Sequence, residues 1–248
     1  MRRLSSLLLL SFLLAGRALG APAVLVTANY PPYSYDESGE VKGLGVELIR
    51  EAFRRMHHDL EIVVVPFPRA LEMVKAGEAD GIFPFAIRED RKALVEYSSE
   101  SLLADPAALV VRAGSTITFD GDLSKLSGYT IGRQRGADYG PAFQRAVAAY
   151  HLNVEDAIDQ ENNMRRLLAG RFDMIVGPHL VLLDVARRLH RSDDIRVLYS
   201  GLSVGDVYVG FAKTPRARSL MAPFDQALRT MRLDGAKARI LGAMDAAP

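Results

Sequence analysis

The sequence predicts an α/β chain of two similar lobes, each a mainly parallel sheet flanked by helices, joined by two hinge strands. Three observations carry this reading. Apolar runs of strand length alternate with helical patterns along the chain, the mark of βαβ units. A helix–glycine–aspartate–strand unit occurs twice, ending in Gly77, Asp80 and Phe83 and again in Gly170, Asp173 and Val176, with the same Gly-to-Asp spacing. Two extended apolar runs, residues 109–114 and 207–212, bracket the second copy and read as the connectors between lobes.

Taken in order, residues 1–20 read as an export signal rather than structure. Arg2 and Arg3 precede an apolar run from Leu7 to Leu14, and Ala18, Leu19 and Gly20 offer a cleavage site before Ala21. That run is shorter than the ~20 residues a membrane span needs, and no Cys follows it to carry a lipid anchor. Residues 23–26 form the first strand, stopped by the turn-forming Asn29, Tyr30, Pro31 and Pro32. Ile49, Ala52, Phe53 and Met56 share one helix face. The β-branched run 61–67 is the next strand, and Pro68 suits the first turn of a helix that Gly77 ends. Leu220, Phe224, Leu228 and Met231 recur at helical spacing near the C-terminus, where the chain is expected to pack back on its first lobe. The expected division is 1–20 signal peptide, 21–112 plus 210–248 lobe one, and 113–209 lobe two.

Without its first twenty residues the chain loses Arg2, Arg3 and Arg17, leaving 28 basic against 30 acidic residues, a net charge of −2. Such a balance argues against nucleic acid or anionic lipid as a partner. There is no cysteine, so disulfides and thiolate metal sites are excluded. Core packing alone must stabilise the exported chain, and one of this size buries roughly 70% of its unfolded surface.

Several short motifs occur in a telling order. They are Tyr30-Pro31-Pro32-Tyr33-Ser34-Tyr35 after the first strand, Gly43-Leu44-Gly45-Val46-Glu47-Leu48 opening a helix, Ala79-Asp80-Gly81-Ile82-Phe83-Pro84 with Arg91, and Glu96-Tyr97-Ser98. Leu126-Ser127-Gly128-Tyr129-Thr130-Ile131-Gly132 and Gly170-Arg171-Phe172-Asp173 follow. In this order the chain resembles bacterial solute-binding proteins of family 3, the receptors of polar-amino-acid-type ABC importers, over nearly its whole exported length. The resemblance implies a type II periplasmic-binding fold and a ligand cleft between the lobes. It also implies a monomer in the periplasm whose closed form delivers a small polar molecule to a membrane permease or a sensor receptor, with no cofactor, metal or catalytic residue. On this resemblance Tyr30 stacks on the ligand, with Tyr33 and Phe85 as further walls, and Arg91 clamps a carboxylate through its planar fork of donors. Gly136, Ala137, Asp138 and Tyr139 match a loop at a helix start in the second lobe, where free N–H groups favour an anion. Pro178 and His179 lie at a strand end that ligands reach.

The chain also departs from the family pattern. Pro84 and Ala86 replace the usual Ser or Thr before the arginine, Gly136-Ala137-Asp138 replaces a Gly-Thr-Thr loop, and Pro178 stands where an aspartate grips the ligand's ammonium. These changes predict a ligand other than a standard α-amino acid, which submillimolar binding of a common L-amino acid in calorimetry would refute.

Two catalytic readings compete. Gly201-Leu202-Ser203-Val204-Gly205 spells a nucleophile elbow, but that turn requires a following helix and residues 207–212 read as a strand. Some relatives of the fold are cyclohexadienyl dehydratases, which need a carboxylic acid in the cleft. Glu47 and Asp138 are the weak candidates here. No histidine spacing suits a metal.

Overall fold

The structure is a computed structural model that describes residues 21–137, 139–200, 202 and 205–242. The proposed signal segment, Asp138 and Ser203 lie outside the described residues. Lobe one begins with β1 (Ala23–Thr27), a small hairpin of β2 (Tyr35–Glu37) and β3 (Glu40–Lys42), then α1 (Leu44–Met56), β4 (Leu60–Val64), α2 (Phe67–Ala76) and β5 (Gly81–Phe85). The single turn α3 (Glu89–Lys92), β6 (Val95–Tyr97) and β7 (Leu103–Ala104) lead to the first crossing. Lobe two contains β8 (Ala107–Arg112), β9 (Thr130–Gln134), α4 (Pro141–Ala149), β10 (Asn153–Ala157), α5 (Gln160–Leu168), β11 (Met174–Pro178), α6 (His179–Arg188) and β12 (Ile195–Ser200). The chain then returns through β13 (Asp206–Ala212) to α7 (Pro215–Leu233) and α8 (Ala236–Gly242). Among the described residues no helix is long and apolar enough to cross a membrane.

Each sheet has a parallel centre of three strands, β4-β1-β5 in the first and β10-β9-β11 in the second. The connectors add antiparallel strands, so both sheets are mixed. β8 runs antiparallel to β11, with β12 beyond it, and β13 runs antiparallel to β5 and β6. The crossings therefore fall earlier in the chain than the sequence reading put them. Residues 107–112, expected in lobe one, are hydrogen-bonded in the second sheet, and residues 206–209, expected in lobe two, are in the first. An apolar run specifies burial but not which of two sheets buries it. Likewise the strand expected over 61–67 stops at Val64, because Pro66 has no N–H for a ladder and Phe67 and Pro68 begin α2.

The two repeat units are built alike. Asp80 Oδ2 accepts the Val24 N–H at 2.9 Å, and Asp173 Oδ2 accepts the Thr130 N–H at 2.8 Å. Each aspartate thus satisfies a donor at the start of the central parallel strand beside it, which is why the unit carries an aspartate at that spacing. One apolar cluster spans the lobe-one core, including Leu25, Ile49, Phe53, Phe83, Phe211 and Phe224, and continues under α5 and α6. A second, including Leu109, Val111, Ile131 and Phe143, covers the opposite face of sheet two.

Candidate functional site

The lobe-one wall of the inter-lobe cavity is built where the chain leaves β1. The turn at Tyr30–Ser34 is closed by Tyr30 N–H donating to Ser34 O and Ser34 N–H donating to Tyr30 O. α1 starts on that turn. Leu44 N–H donates to Pro32 O and Gly45 N–H to Tyr33 O, both at 2.9 Å, so donors that a helix start leaves open are met by the turn itself. Gly43 allows the approach: its φ is 126°, and a Cβ there would stand 2.4 Å from Tyr33 O. The buried Ser34 Oγ accepts from Thr27 Oγ1 at 2.7 Å and donates to Ala28 O at 2.9 Å. Tyr30 and Tyr33 are thereby held with ring centroids 5.1 Å apart.

These two rings line a cavity of about 500 Å³, within the range typical of small-molecule sites. Ala28, Asn29, Phe67, Ile82, Phe83, Pro84, Ala86 and Arg91 complete the lobe-one side, and Tyr139 and Pro178 come from lobe two. Asp105, Ala107, Gly205, Asp206 and Val207 contribute from the crossings. The crossings touch each other closely: Asp105 N–H donates to Gly205 O at 3.0 Å, and a Cβ on Gly205 would fall 1.8 Å from Asp105 O.

Asp105 is the buried carboxylate of this cavity, 6% exposed. Its Oδ2 accepts the Tyr33 hydroxyl and its Oδ1 accepts the Leu180 N–H at 2.9 Å, in the first turn of α6. A side chain at the crossing thus ties the lobe-one wall to a lobe-two helix start, where the helix dipole favours negative charge. Burial raises its pKa, opposed by the Tyr33 hydroxyl, the α6 N–H groups and His179. Burial and Asp105 in turn raise the Tyr33 phenol. Tyr30 as a whole is 44% exposed, yet its phenol is crowded by protein and pushed up to about 12, first by burial and then by Asp105 and Tyr139.

Arg91 occupies another part of the wall. Its guanidinium lies 4.6 Å from the Phe85 ring centroid and 5.3 Å from that of Phe67, and Nη1 donates to Ala86 O at 3.3 Å. Among the described residues it makes no ion pair, unlike Arg88 and Lys92 on either side, which pair with Asp90 and Glu89. Burial and the nearby Arg88 lower its pKa, but a guanidinium stays charged. In lobe two, the buried Tyr139 hydroxyl accepts from Gln134 N–H at 3.2 Å and from Gln160 Nε2 at 3.0 Å. Gln160 Oε1 in turn accepts from Asn163 Nδ2 at 3.0 Å. The two donors of Gln134 and Gln160 fix the Tyr139 oxygen as an acceptor within lobe two.

Of the residues singled out from sequence, Tyr30, Tyr33, Pro84, Arg91, Tyr139 and Pro178 line the cavity. Phe85 is fully buried behind Arg91 rather than facing the cavity as a wall. Gly136 is exposed with φ 72°, and Ala137 packs on the second apolar cluster; neither is among the lining residues. His179 is not either; its N–H is bound to Pro106 O at 3.1 Å. Asp138 lies outside the described residues. Glu47 is on the exposed face of α1, paired with Arg50 at 2.9 Å, and not in the cavity. Sequence reasoning passed over Asp105, Asp206 and Phe67. The sequence signal for Asp105 was available: an acid and a proline interrupting two buried apolar runs mark a place where the chain changes sheets.

The model of the bacterial extracellular solute-binding proteins, family 3, matches residues 23–242. A Bacillus subtilis (strain 168) protein named "Probable amino-acid-binding protein YxeM" is 20% identical over 210 residues, covering 84% of this chain and 78% of its own. Among solved structures, the probable amino-acid ABC transporter extracellular-binding protein ytmK of Bacillus subtilis is similar with a TM-score of 0.74. It is 20% identical, and the match covers 90% of this chain and 98% of that one. A histidine kinase sensor domain with similarity to periplasmic binding proteins matches with a TM-score of 0.66 at 19% identity, over 92% and 97% of the two chains. These likenesses show the type II periplasmic-binding fold. Together with the family match, they make this chain a solute-binding protein that belongs to the bacterial extracellular solute-binding proteins, family 3.

Proposed function

We propose that the protein captures a small polar solute in the cavity between its lobes and delivers it to the permease of an ABC importer. It does so as a monomer in the periplasm, after removal of residues 1–20. Lobe one would comprise residues 21–105 and 206–242, and lobe two residues 106–205. The observation that carries this reading is the cavity itself, lined from both sheets and both crossings, with Arg91 the one cation among its described lining residues and in no ion pair among the described residues. Binding that favours the closed arrangement is sufficient for the task, because a ligand shifts a two-state equilibrium by its differential affinity. No bond need be made or broken. The sensor domain of the same fold favours a second output, in which the closed form feeds a signalling receptor.

Thermal unfolding against amino acids, polyamines, dicarboxylates, phenolics and sugars tests the reading. A ligand at a hundred times its dissociation constant stabilises by about 2.7 kcal/mol, a shift of roughly 5–10 °C for a chain of this size. A shift that disappears in Arg91→Ala supports capture in this cavity. No shift with any class, or one indifferent to Arg91, overturns it.

A further inference from the structure

The two crossings are bonded directly to each other, with Asp105 N–H donating to Gly205 O at 3.0 Å. That contact places Asp105 on the line about which the lobes can turn. Its side chain reaches off the line in both directions. Oδ2 accepts the hydroxyl of Tyr33, from the turn that supports α1 in lobe one, and Oδ1 accepts the Leu180 N–H in the first turn of α6 in lobe two. Both donors are firmly mounted. Tyr33 is buried, its N–H donates to Tyr30 O and its carbonyl takes the Gly45 N–H. Leu180 belongs to a helix that packs on β8 and β11 of sheet two. Rotation of lobe two carries the Leu180 N–H along with α6, while Tyr33 stays with lobe one. A lengthening of about 1 Å ends a hydrogen bond, so the carboxylate holds both donors in one arrangement of the lobes and loses one of them in others. The loss is costly, because Asp105 is only 6% exposed and water replaces the missing donor poorly.

We propose that Asp105 is a latch across the hinge, holding the lobes in their closed arrangement through Tyr33 and α6 so that closure does not wait for a solute. The bridge consists of protein atoms alone and is therefore independent of what the cavity takes up. A solute that binds only the closed form meets a protein already biased toward it. Cutting the latch weakens its apparent affinity in proportion to the closed fraction lost.

The chain has no cysteine, so two introduced cysteines carry the only spin labels. Ile87→Cys and Ile158→Cys place them at exposed positions just beyond β5 in lobe one and β10 in lobe two, outside the cavity lining. The labelled protein without added solute is expected to show one main distance. Tyr33→Phe, which removes a single oxygen, should lower the closed-to-open ratio about ten-fold, the scale of a hydrogen bond to a charged group, and a second, longer distance should appear. Asp105→Ala should do the same. The double variant should open no further than either single one, because each cut severs the same bridge. Unchanged distances in Tyr33→Phe overturn the latch, and they do so whether or not Asp105→Ala folds. Additive opening in the double variant overturns it too, as does a parent protein that already shows mainly the longer distance. A Tyr33→Phe protein without a cooperative melt assigns the bond to folding instead and likewise overturns the latch.

Discussion

The two lobes are copies of one plan that differ where they meet the cavity. Aligning Gly77 with Gly170 and Asp80 with Asp173 places Phe67 opposite Gln160 and Ala70 opposite Asn163. The bonds from Asp80 to Val24 and from Asp173 to Thr130 place Val26 opposite Gly132. In lobe one a valine on the strand meets an alanine position on the helix, both fully buried. In lobe two the bulk is exchanged: Gly132 has no side chain, and Asn163 and Phe172 fill the space. The helix start follows the same rule. Phe67 lines the cavity beside Arg91, whereas Gln160 turns inward and fixes the hydroxyl of Tyr139. The scaffold tolerates either arrangement because packing density, not identity, is what the interior requires. The cavity lining is thus drawn mainly from lobe one and the crossings, and lobe two adds Tyr139 and Pro178.

Gly132→Ala should show the largest effect. A Cβ there would lie 2.3 Å from both Asn163 Oδ1 and Phe172 Cδ2, so destabilisation of about 3 kcal/mol is expected, at the upper end for overpacking. A melting temperature within a degree or two of the parent protein would show that the exchange of bulk is not enforced. The paired aspartates come next. Asp80→Ala should cost about 2 kcal/mol and Asp173→Ala about 1 kcal/mol, each stranding a strand donor. The difference is expected because Asp80 is more deeply buried and also pairs with Arg216 at 3.1 Å. Chemical denaturation of both variants reads it, and equal costs would break the inequality.

Arg91→Ala should lower ligand affinity about 10–100-fold while changing stability by no more than about 1 kcal/mol, the scale of a partly exposed cation–π contact. Tyr139→Phe should cost less in affinity, since its ring remains. The reverse order would move recognition to lobe two. The smallest effect concerns the seam of α1 with α7. Glu51 is held down to about 2, first by its hydrogen bond to Arg54 and also by Arg55, which reaches Asp234. A carboxylate depressed in the folded state adds stability above its unfolded pKa, and that stability is lost as pH falls through the folded value. Stability should therefore decline from about pH 5 toward pH 2, and Glu51→Gln should flatten that decline by about 1 kcal/mol after allowance for solvent screening. An unchanged acid profile would show that the seam contributes nothing.

The repeat, the strand–helix alternation and the helix ends at Gly77 and Gly170 were legible in residue order, because each rests on local backbone preference or on periodicity. So was part of the cavity wall, through Tyr30, Tyr33, Pro84, Arg91, Tyr139 and Pro178. Phe85 was named from the resemblance, but the Arg91 guanidinium and the Phe67 and Tyr97 rings pack over it and take it out of the lining. Gly136 and Ala137 were named by their place near a helix start, but neither is among the residues that line the cavity, whereas Tyr139 beyond them is.

Sequence by itself determined the elements, their order, and the fact that the chain is a pair of similar lobes. Those features depend on neighbours along the chain, where spacing is fixed by covalent geometry. Tertiary structure alone decided which sheet each connector joins, and with it the site's charge. Asp105 acquires its meaning only when β8 pairs with β11, bringing its carboxylate between Tyr33 and the start of α6 across separations of 72 and 75 residues. No local pattern encodes such a meeting, because a buried acid is stable only where the fold supplies its donors.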